Sequence, residues 1–335
     1  MATTITTILK RIPRQPLADF PTPLLPAQRL SDTLDGATLW FKRDDLISFG
    51  LGGNKVRGLE VLLADALAKR ADTLVTGAGP QSNHVRATAA AAAVCGMDCS
   101  TLAWGEPPAV VDGNYRVTRM LGASVTFTGQ NERASVDIAI AEAAQRLRDD
   151  GHTPYSIPRA GACALGALGH VLAASEFETQ CAALSLRPDA LVIAAGSGCT
   201  YAGWLLGRKL LRAQWNIECF TVSRDAVEVS QQSARLATEA ALLLGLDFKF
   251  EPDDAPVHDG FIGAGYGVPT AAGTEAIKLV ARTEGVLLDP TYTGKAMAGY
   301  LALERQQVYN ANDTVVFMHT GGEPAFFAGD GAWLN

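Results

Sequence analysis

The 335 residues are 48% hydrophobic and 19% charged, with 33 glycines, a composition that supports a sizeable core and excludes an intrinsically disordered chain. Thirty-five acidic against 28 basic residues give a net charge of -7 without any long lysine or arginine run, which argues against a nucleic-acid partner. The start lacks an apolar signal segment with a cleavage site, and no apolar stretch reads as long enough to span a bilayer, so a cytoplasmic protein without a membrane partner is expected.

The length predicts two domains sharing one site. After a proline-marked entry, ATLWFKRDD reads as a strand, and Lys55 to Lys69 carries apolar residues at helical spacing. DTLVTGAG (strand), SNHVRATAAAAAVCG (helix), CSTLAWG (strand), GNYRVTRMLGA (helix), SVTFTG (strand) and ERASVDIAIAEAAQRLRDDG (helix) follow. A second series starts near YSIPRAGACALGALGHVLAASEF and continues with strand DALVIAAG, helix TYAGWLLGRKLL, strand IECFTVS and a long helix from Ala226 to Leu244. Helices near Thr270 to Thr283 and Gly294 to Gln306 lead to a last strand, TVVFMHTGG. Alternating strands and helices mean an α/β fold with parallel, twisted sheets and crossover helices. The expected division is a smaller inserted α/β domain over residues 52–160 and a larger domain made of 1–51 and 161–335. Six cysteines without metal-ligand spacing read as reduced, mostly buried thiols, and no metal site is expected.

In open parallel sheets ligands bind beyond the carboxyl ends of the strands, where glycine-rich turns feed helix N-termini. In LGGNKVRGLE the two glycines let the backbone approach a ligand, Asn54 is placed to cap a helix, and Lys55 sits in that helix's first turn. A cation is disfavoured there, so the neutral amine is relatively favoured. Alone, the tetrapeptide reads more simply as a solvated lysine. In GAGPQSNHVR, Ser82, Asn83 and His84 present side chains and free amides at a helix start, where a carboxylate can be gripped, although Ser82 or Asn83 could be simply an N-cap. AAGSGCTYAG opens a helix after an apolar strand, and its amides from Gly196 to Thr200 form a phosphate cradle. That loop also admits a dinucleotide, but the acidic residue wanted about 20 positions on finds only Glu218 and Asp225, neither well placed.

The ordered set GGNKVRGLE, QSNH, GSGCT, YGVP, DPTYTGKAMAG and HTGG resembles the family of D-cysteine desulfhydrase and aminocyclopropane-carboxylate deaminase over roughly residues 20–330. That resemblance implies a two-domain pyridoxal-phosphate enzyme of fold type II, with the cofactor in the interdomain cleft. It implies Lys55 as the Schiff-base lysine, Gly196, Ser197, Gly198, Cys199 and Thr200 at the cofactor phosphate, and Asn83 at the ring's 3′ oxygen. Ser82, with Asn83 and His84 beside it, would take the substrate carboxylate. Tyr266 and Tyr292 would flank the substrate, Tyr292 as the acid–base partner. Both tyrosines sit beside glycines at loop positions, where core packing explains them poorly.

In the family's deaminases a glutamate follows the second tyrosine and holds the pyridine nitrogen protonated; here Thr293 stands there, and Thr320 of HTGG would be the neutral partner of that nitrogen. A hydroxyl holds that proton less firmly, which favours β-elimination over ring opening. The expectation is therefore a carbon–sulfur lyase releasing pyruvate, ammonia and sulfide from a small amino acid. Cysteate sulfo-lyase or aminocyclopropane-carboxylate deaminase activity, a nicotinamide-dependent oxidoreductase, and a silent binding protein are the alternatives. A homodimer is the expected assembly. Gly58, Tyr201 and the segment from Arg159 to Cys163 depart from the family's pattern and bear on the substrate.

Overall fold

A computed structural model describes residues 2–334. The chain opens with helix α1 (Ala2–Lys10), strand β1 (Leu24–Pro26), α2 (Gln28–Leu34), β2 (Thr38–Arg43) and α3 (Lys55–Ala68). There follow β3 (Thr73–Ala78), α4 (Asn83–Val94), β4 (Asp98–Ala103), α5 (Gly113–Met120), β5 (Ser124–Phe127), α6 (Ser135–Asp149) and β6 (Pro154–Ser156). The rest is α7 (Ala164–Leu184), β7 (Ala190–Ala195), α8 (Cys199–Leu211), β8 (Asn216–Thr221), α9 (Ala226–Leu243), α10 (Ala271–Glu284), α11 (Thr293–Arg305), β9 (Thr314–His319) and α12 (Glu323–Phe326).

Two sheets result. One has the order β1-β2-β9-β7-β8 and draws its strands from both ends of the chain; β1 alone runs antiparallel. The other, β5-β4-β3-β6, is wholly parallel and draws its strands from residues 73–156.

The central strands are apolar on both faces because helices cover both. Along β7, Leu191, Ile193 and Ala195 pack into one core with α7, α8 and α9, while Ala190, Val192 and Ala194 pack into another with α10 and α11. This is the period-two alternation of a strand, buried twice over. In β3, Leu74 and Val75 divide between two smaller cores in the same way.

One reading needs correction. Residues Arg159–Leu184 are, by length and composition, apolar enough to cross a membrane. Here α7 lies against α3, α8 and α9 as the central helix of the larger core. Its glycines make that possible: a Cβ on Gly169 would lie 2.1 Å from the Arg57 carbonyl oxygen, and one on Gly203 of α8 would lie 2.4 Å from that of Ala167. The cysteines are all free thiols, as expected.

Candidate active site

The carboxyl ends of β3, β7, β8 and β9 feed turns that meet in one cleft, lined by Lys55, Ser82, Asn83, His84, Gly196, Ser197, Gly198, Thr200, Tyr266, Tyr292 and Thr320 among others.

Lys55 begins α3, whose start is held against the last strand's turn: the Asn54 amide donates to the Thr320 carbonyl oxygen at 3.0 Å. Gly53 adopts φ 99 there, a conformation that favours glycine. The Asn54 side chain does not cap the helix as its position suggests; its Nδ2 donates to Thr200 Oγ1 at 3.0 Å, tying the lysine's helix to the glycine cup. Lys55 keeps some surface because it opens onto the cleft, yet protein surrounds it closely enough that burial pushes its pKa below the ordinary lysine value. Cys199 opposes that shift, and no carboxylate does among the described residues.

The cup follows β7. Gly198 takes φ 81, and a Cβ there would lie 2.8 Å from Ser233 Oγ, so the turn needs glycine. Among the described residues nothing accepts from the amides of Gly196 to Thr200, which face the start of α8 as an unfilled set of donors. Cys199 departs from its neighbours: it lines a smaller chamber behind Lys55, with His84, His170 and Gly58, and not the main cleft.

The second turn precedes α4. Ser82 is its N-cap, with Oγ accepting from the Val85 amide at 3.3 Å, so the hydroxyl proton stays available. Asn83 Oδ1 accepts from Asn114 Nδ2 at 2.9 Å, which leaves the Asn83 amino group for the cleft. His84 is neutral, its pKa held down at about 3 by burial and by the Lys55 charge. Its tautomer follows from the neighbours: Thr76 gives its proton to the Ile157 carbonyl and Thr88 gives its own to the His84 carbonyl, so Nε2 of His84 is the donor to both hydroxyl oxygens.

Across the cleft, Tyr266 and Tyr292 share a hydrogen bond of 2.7 Å between their hydroxyls. Burial raises the pKa of both, so both remain protonated at neutral pH. Tyr292 is held by Asp289, fully buried, whose carboxylate accepts from the amides of Thr291, Tyr292 and Thr293. Thr293 belongs to that turn: it is fully buried, donates to Asp289 Oδ1 at 2.8 Å and accepts from the Asp289 amide. It does not line the cleft, contrary to the expectation of cofactor contact; Thr320 does. Competition from a buried carboxylate four residues back turned the hydroxyl inward.

Of the departures from the family's pattern, Gly58 sits under α7, where a Cβ would lie 2.8 Å from the Gly166 carbonyl oxygen. Tyr201 donates its hydroxyl to the Pro256 carbonyl at 2.8 Å. Cys163 caps α7 through its Sγ. Ala160 lines the cleft at φ 59, an uncommon conformation for a residue with a Cβ. Asp289, Asn114, Trp104 and Arg133 went unread in the sequence; only Asp289 carried a signal, as the aspartate before a proline and a turn.

A family model described as pyridoxal-phosphate dependent enzyme matches residues 16–321. The chain is similar to D-cysteine desulfhydrases of Salmonella choleraesuis (strain SC-B67) and Salmonella paratyphi C (strain RKS4594), 41% identical in each case over 96% of this chain and 97% of the relative. Among solved structures it is similar to one titled as an ACC deaminase homologue, with a TM-score of 0.89 and 34% identity over 98% of this chain and 97% of that one. The fold is shared with a fungal L-serine ammonia-lyase from Rhizomucor miehei, with a TM-score of 0.66 at 18% identity over 92% of this chain and 95% of that one.

Proposed function

Because the chain belongs to the pyridoxal-phosphate dependent enzyme family, we propose that it is a lyase that eliminates a β-substituent from a small amino acid, acting as a D-cysteine desulfhydrase that releases pyruvate, ammonia and sulfide. The observation that carries this reading is a lysine amine without a carboxylate partner, its pKa lowered by burial, in one cleft with a cup of free amides. A neutral amine and an anion cradle are what pyridoxal phosphate requires of a site, and membership of the family sets aside the nicotinamide alternative.

Bound there, pyridoxal phosphate supplies an electron sink that makes the substrate's Cα proton acidic. In this reading the amides of Gly196 to Thr200 hold the phosphate and the α8 dipole favours it. Ser82 Oγ–H and the amides of Asn83 and His84 hold the substrate carboxylate. Neutral His84 adds no charge to that grip. Lys55 Nζ takes the Cα proton. The Tyr266–Tyr292 pair keeps a proton on a phenolic oxygen, from which Tyr292 delivers it to the departing sulfur. Thr320, a neutral hydroxyl in the cleft, is the partner we assign to the pyridine nitrogen; Thr293 supports Tyr292 through Asp289.

The proposed division into 52–160 and the two flanking parts gives Lys55 to one unit and the cup to the other, so closing the cleft would exclude water as the groups assemble. We also propose a cytoplasmic homodimer, the commonest closed assembly; light scattering tests it.

The test of the reaction is pyruvate, ammonia and sulfide release from D-cysteine by protein purified with its cofactor. Equal yields of the three products are expected. A yellow protein that forms 2-oxobutyrate from aminocyclopropane carboxylate and no pyruvate from D-cysteine would replace this reading with the deaminase.

A further inference from the structure

Arg86 is a fully buried cation that meets no carboxylate by hydrogen bond or ion pair among the described residues. Burial lowers its pKa to about 10, with Glu323 opposing, so it stays charged at neutral pH and can only donate. Its Nη1 donates to the Gly50 carbonyl and its Nη2 to that of Gly52 at 2.9 Å, in the turn that leads to Lys55. Its Nε donates at 2.7 Å to Oδ1 of Asn114, itself fully buried at the start of α5.

Those contacts fix which way two carboxamides face. The oxygen and nitrogen of an amide are nearly the same size, and the partners decide between them. Arg86 has no acceptor, so the atom of Asn114 beside its Nε must be oxygen. The Asn114 Nδ2 then faces the Gln81 carbonyl at 3.0 Å, which has no proton to give, and Asn83 at 2.9 Å. Asn83 must in turn present its oxygen to Asn114 and its amino group to the cleft, where among the described residues Nδ2 has no partner. The main chain keeps the two in register. The Asn114 amide donates to Gln81 Oε1 at 2.8 Å, and Gly113 takes φ 46 where a Cβ would lie 2.5 Å from that oxygen.

We propose that Asn114 is a positioning residue that sets the polarity of the Asn83 carboxamide, so that an N–H donor and not a carbonyl faces the cofactor's 3′ oxygen, with Arg86 as the origin of that polarity. The proposal rests on the reading that pyridoxal phosphate occupies the cleft with Asn83 at its 3′ oxygen. A donor there favours the form of the bound cofactor in which that oxygen carries negative charge; an acceptor there favours the form in which the oxygen keeps a proton. Arg86 joins the same setting to the turn before Lys55, so amine and amide are placed from one buried guanidinium.

The test is the absorption spectrum of the cofactor-loaded protein. Asn114→Asp has the shape of asparagine, keeps an oxygen for Arg86 Nε and offers that cation a charge, but it replaces the donor to Asn83 by an acceptor and should turn the Asn83 amide over. At fixed pH the ratio of the cofactor's near-ultraviolet band, from the form with the oxygen protonated, to its visible band should rise at least about threefold, through the loss of one charge-assisted hydrogen bond. Asn114→Ser, which releases Asn83 without repelling it, should give a smaller rise and carries the test if the buried carboxylate prevents folding. In an Asn83→Ala background the same Asn114 changes should move the ratio by less than about 1.5-fold. An unchanged ratio in the Asn114 variants, or a shift of equal size without the Asn83 side chain, overturns the proposal and leaves the cofactor reading standing. An unaltered protein that takes up no pyridoxal phosphate and shows no visible band overturns the cofactor reading, and the proposal with it. The expected shifts with no pyruvate from D-cysteine keep the proposal and overturn the lyase.

Discussion

Lys55 and Arg57 stand two residues apart on the first turn of α3, and the protein treats their charges in opposite ways. Arg57 is 4% exposed and donates through Nε and Nη2 to Asp44, through Nη1 and Nη2 to Glu176, and to Thr22, with Lys42 bonded to Glu176 beside it. These carboxylates raise its pKa despite burial, and its charge lowers theirs. Lys55 receives burial and no carboxylate, and its pKa falls. The same helix turn thus anchors itself with a permanent cation on its core side and presents a dischargeable amine on its cleft side. Local sequence cannot separate the two, since both are basic residues in one helix start; the difference lies in acids contributed from residues 44 and 176.

The largest effect that would break this contrast is Lys55→Ala. It should lower pyruvate formation by about a hundredfold to ten-thousandfold and remove the visible band of the bound cofactor, with little change in the urea midpoint. The pH arm sharpens it: cofactor capture by the stripped protein should rise with pH, with a midpoint below the ordinary lysine value of about 10.4, because the neutral amine is the reacting form.

Next comes Arg57→Met, which leaves Asp44 and Glu176 with only Lys42 and should cost about 3–5 kcal/mol in urea unfolding. In the unaltered protein the stability from these two carboxylates, whose folded pKa values are depressed, is fully present above their unfolded values near 4 and is lost as pH falls through the lower folded ones. Unfolding measured from pH 6 downward should therefore show a steeper acid loss in the unaltered protein than in Arg57→Met.

The smallest expected effect is Ala160→Gly, at the cleft's strained backbone. Relief of the left-handed conformation should raise stability by less than about 1 kcal/mol, since the gain is partly offset by the freedom glycine adds to the unfolded chain. A loss of stability would show that the Ala160 side chain contributes packing that outweighs the strain.

Much of this was legible in the sequence. The apolar strand DALVIAAG is β7, and the turns that follow β3, β7 and β9 bring QSNH, GSGCT and HTGG into one cleft. What escaped was the choice each polar side chain makes among competing partners. Asn54 reaches Thr200, 146 positions away, in place of its own helix, and Thr293 turns to Asp289 in place of the cleft. Asn114 lies in a segment read only as a helix, and its meaning depends on the guanidinium and the carbonyl that meet it. The apolar length of Arg159–Leu184 also went unread, and hydropathy alone would not say whether lipid or protein covers it; α3, α8 and α9 do.

The glycines of α7 and its neighbours carry a last consequence. Gly169 admits the Arg57 carbonyl, Gly58 lies on the backbone of Gly166, and Gly203 lies on that of Ala167, so α3 and α8 both rest on the main chain of α7. At these points the lysine's helix and the cup's helix are spaced against the peptide groups of α7, with His170 Cβ beside the Gly203 contact. Substitution at these contacts cannot retune the gauge by degrees; it can only wedge it open. Trp104, Arg133 and Ala160 also line the cleft but lie outside those three helices, where a change of side chain need not move the helix contacts.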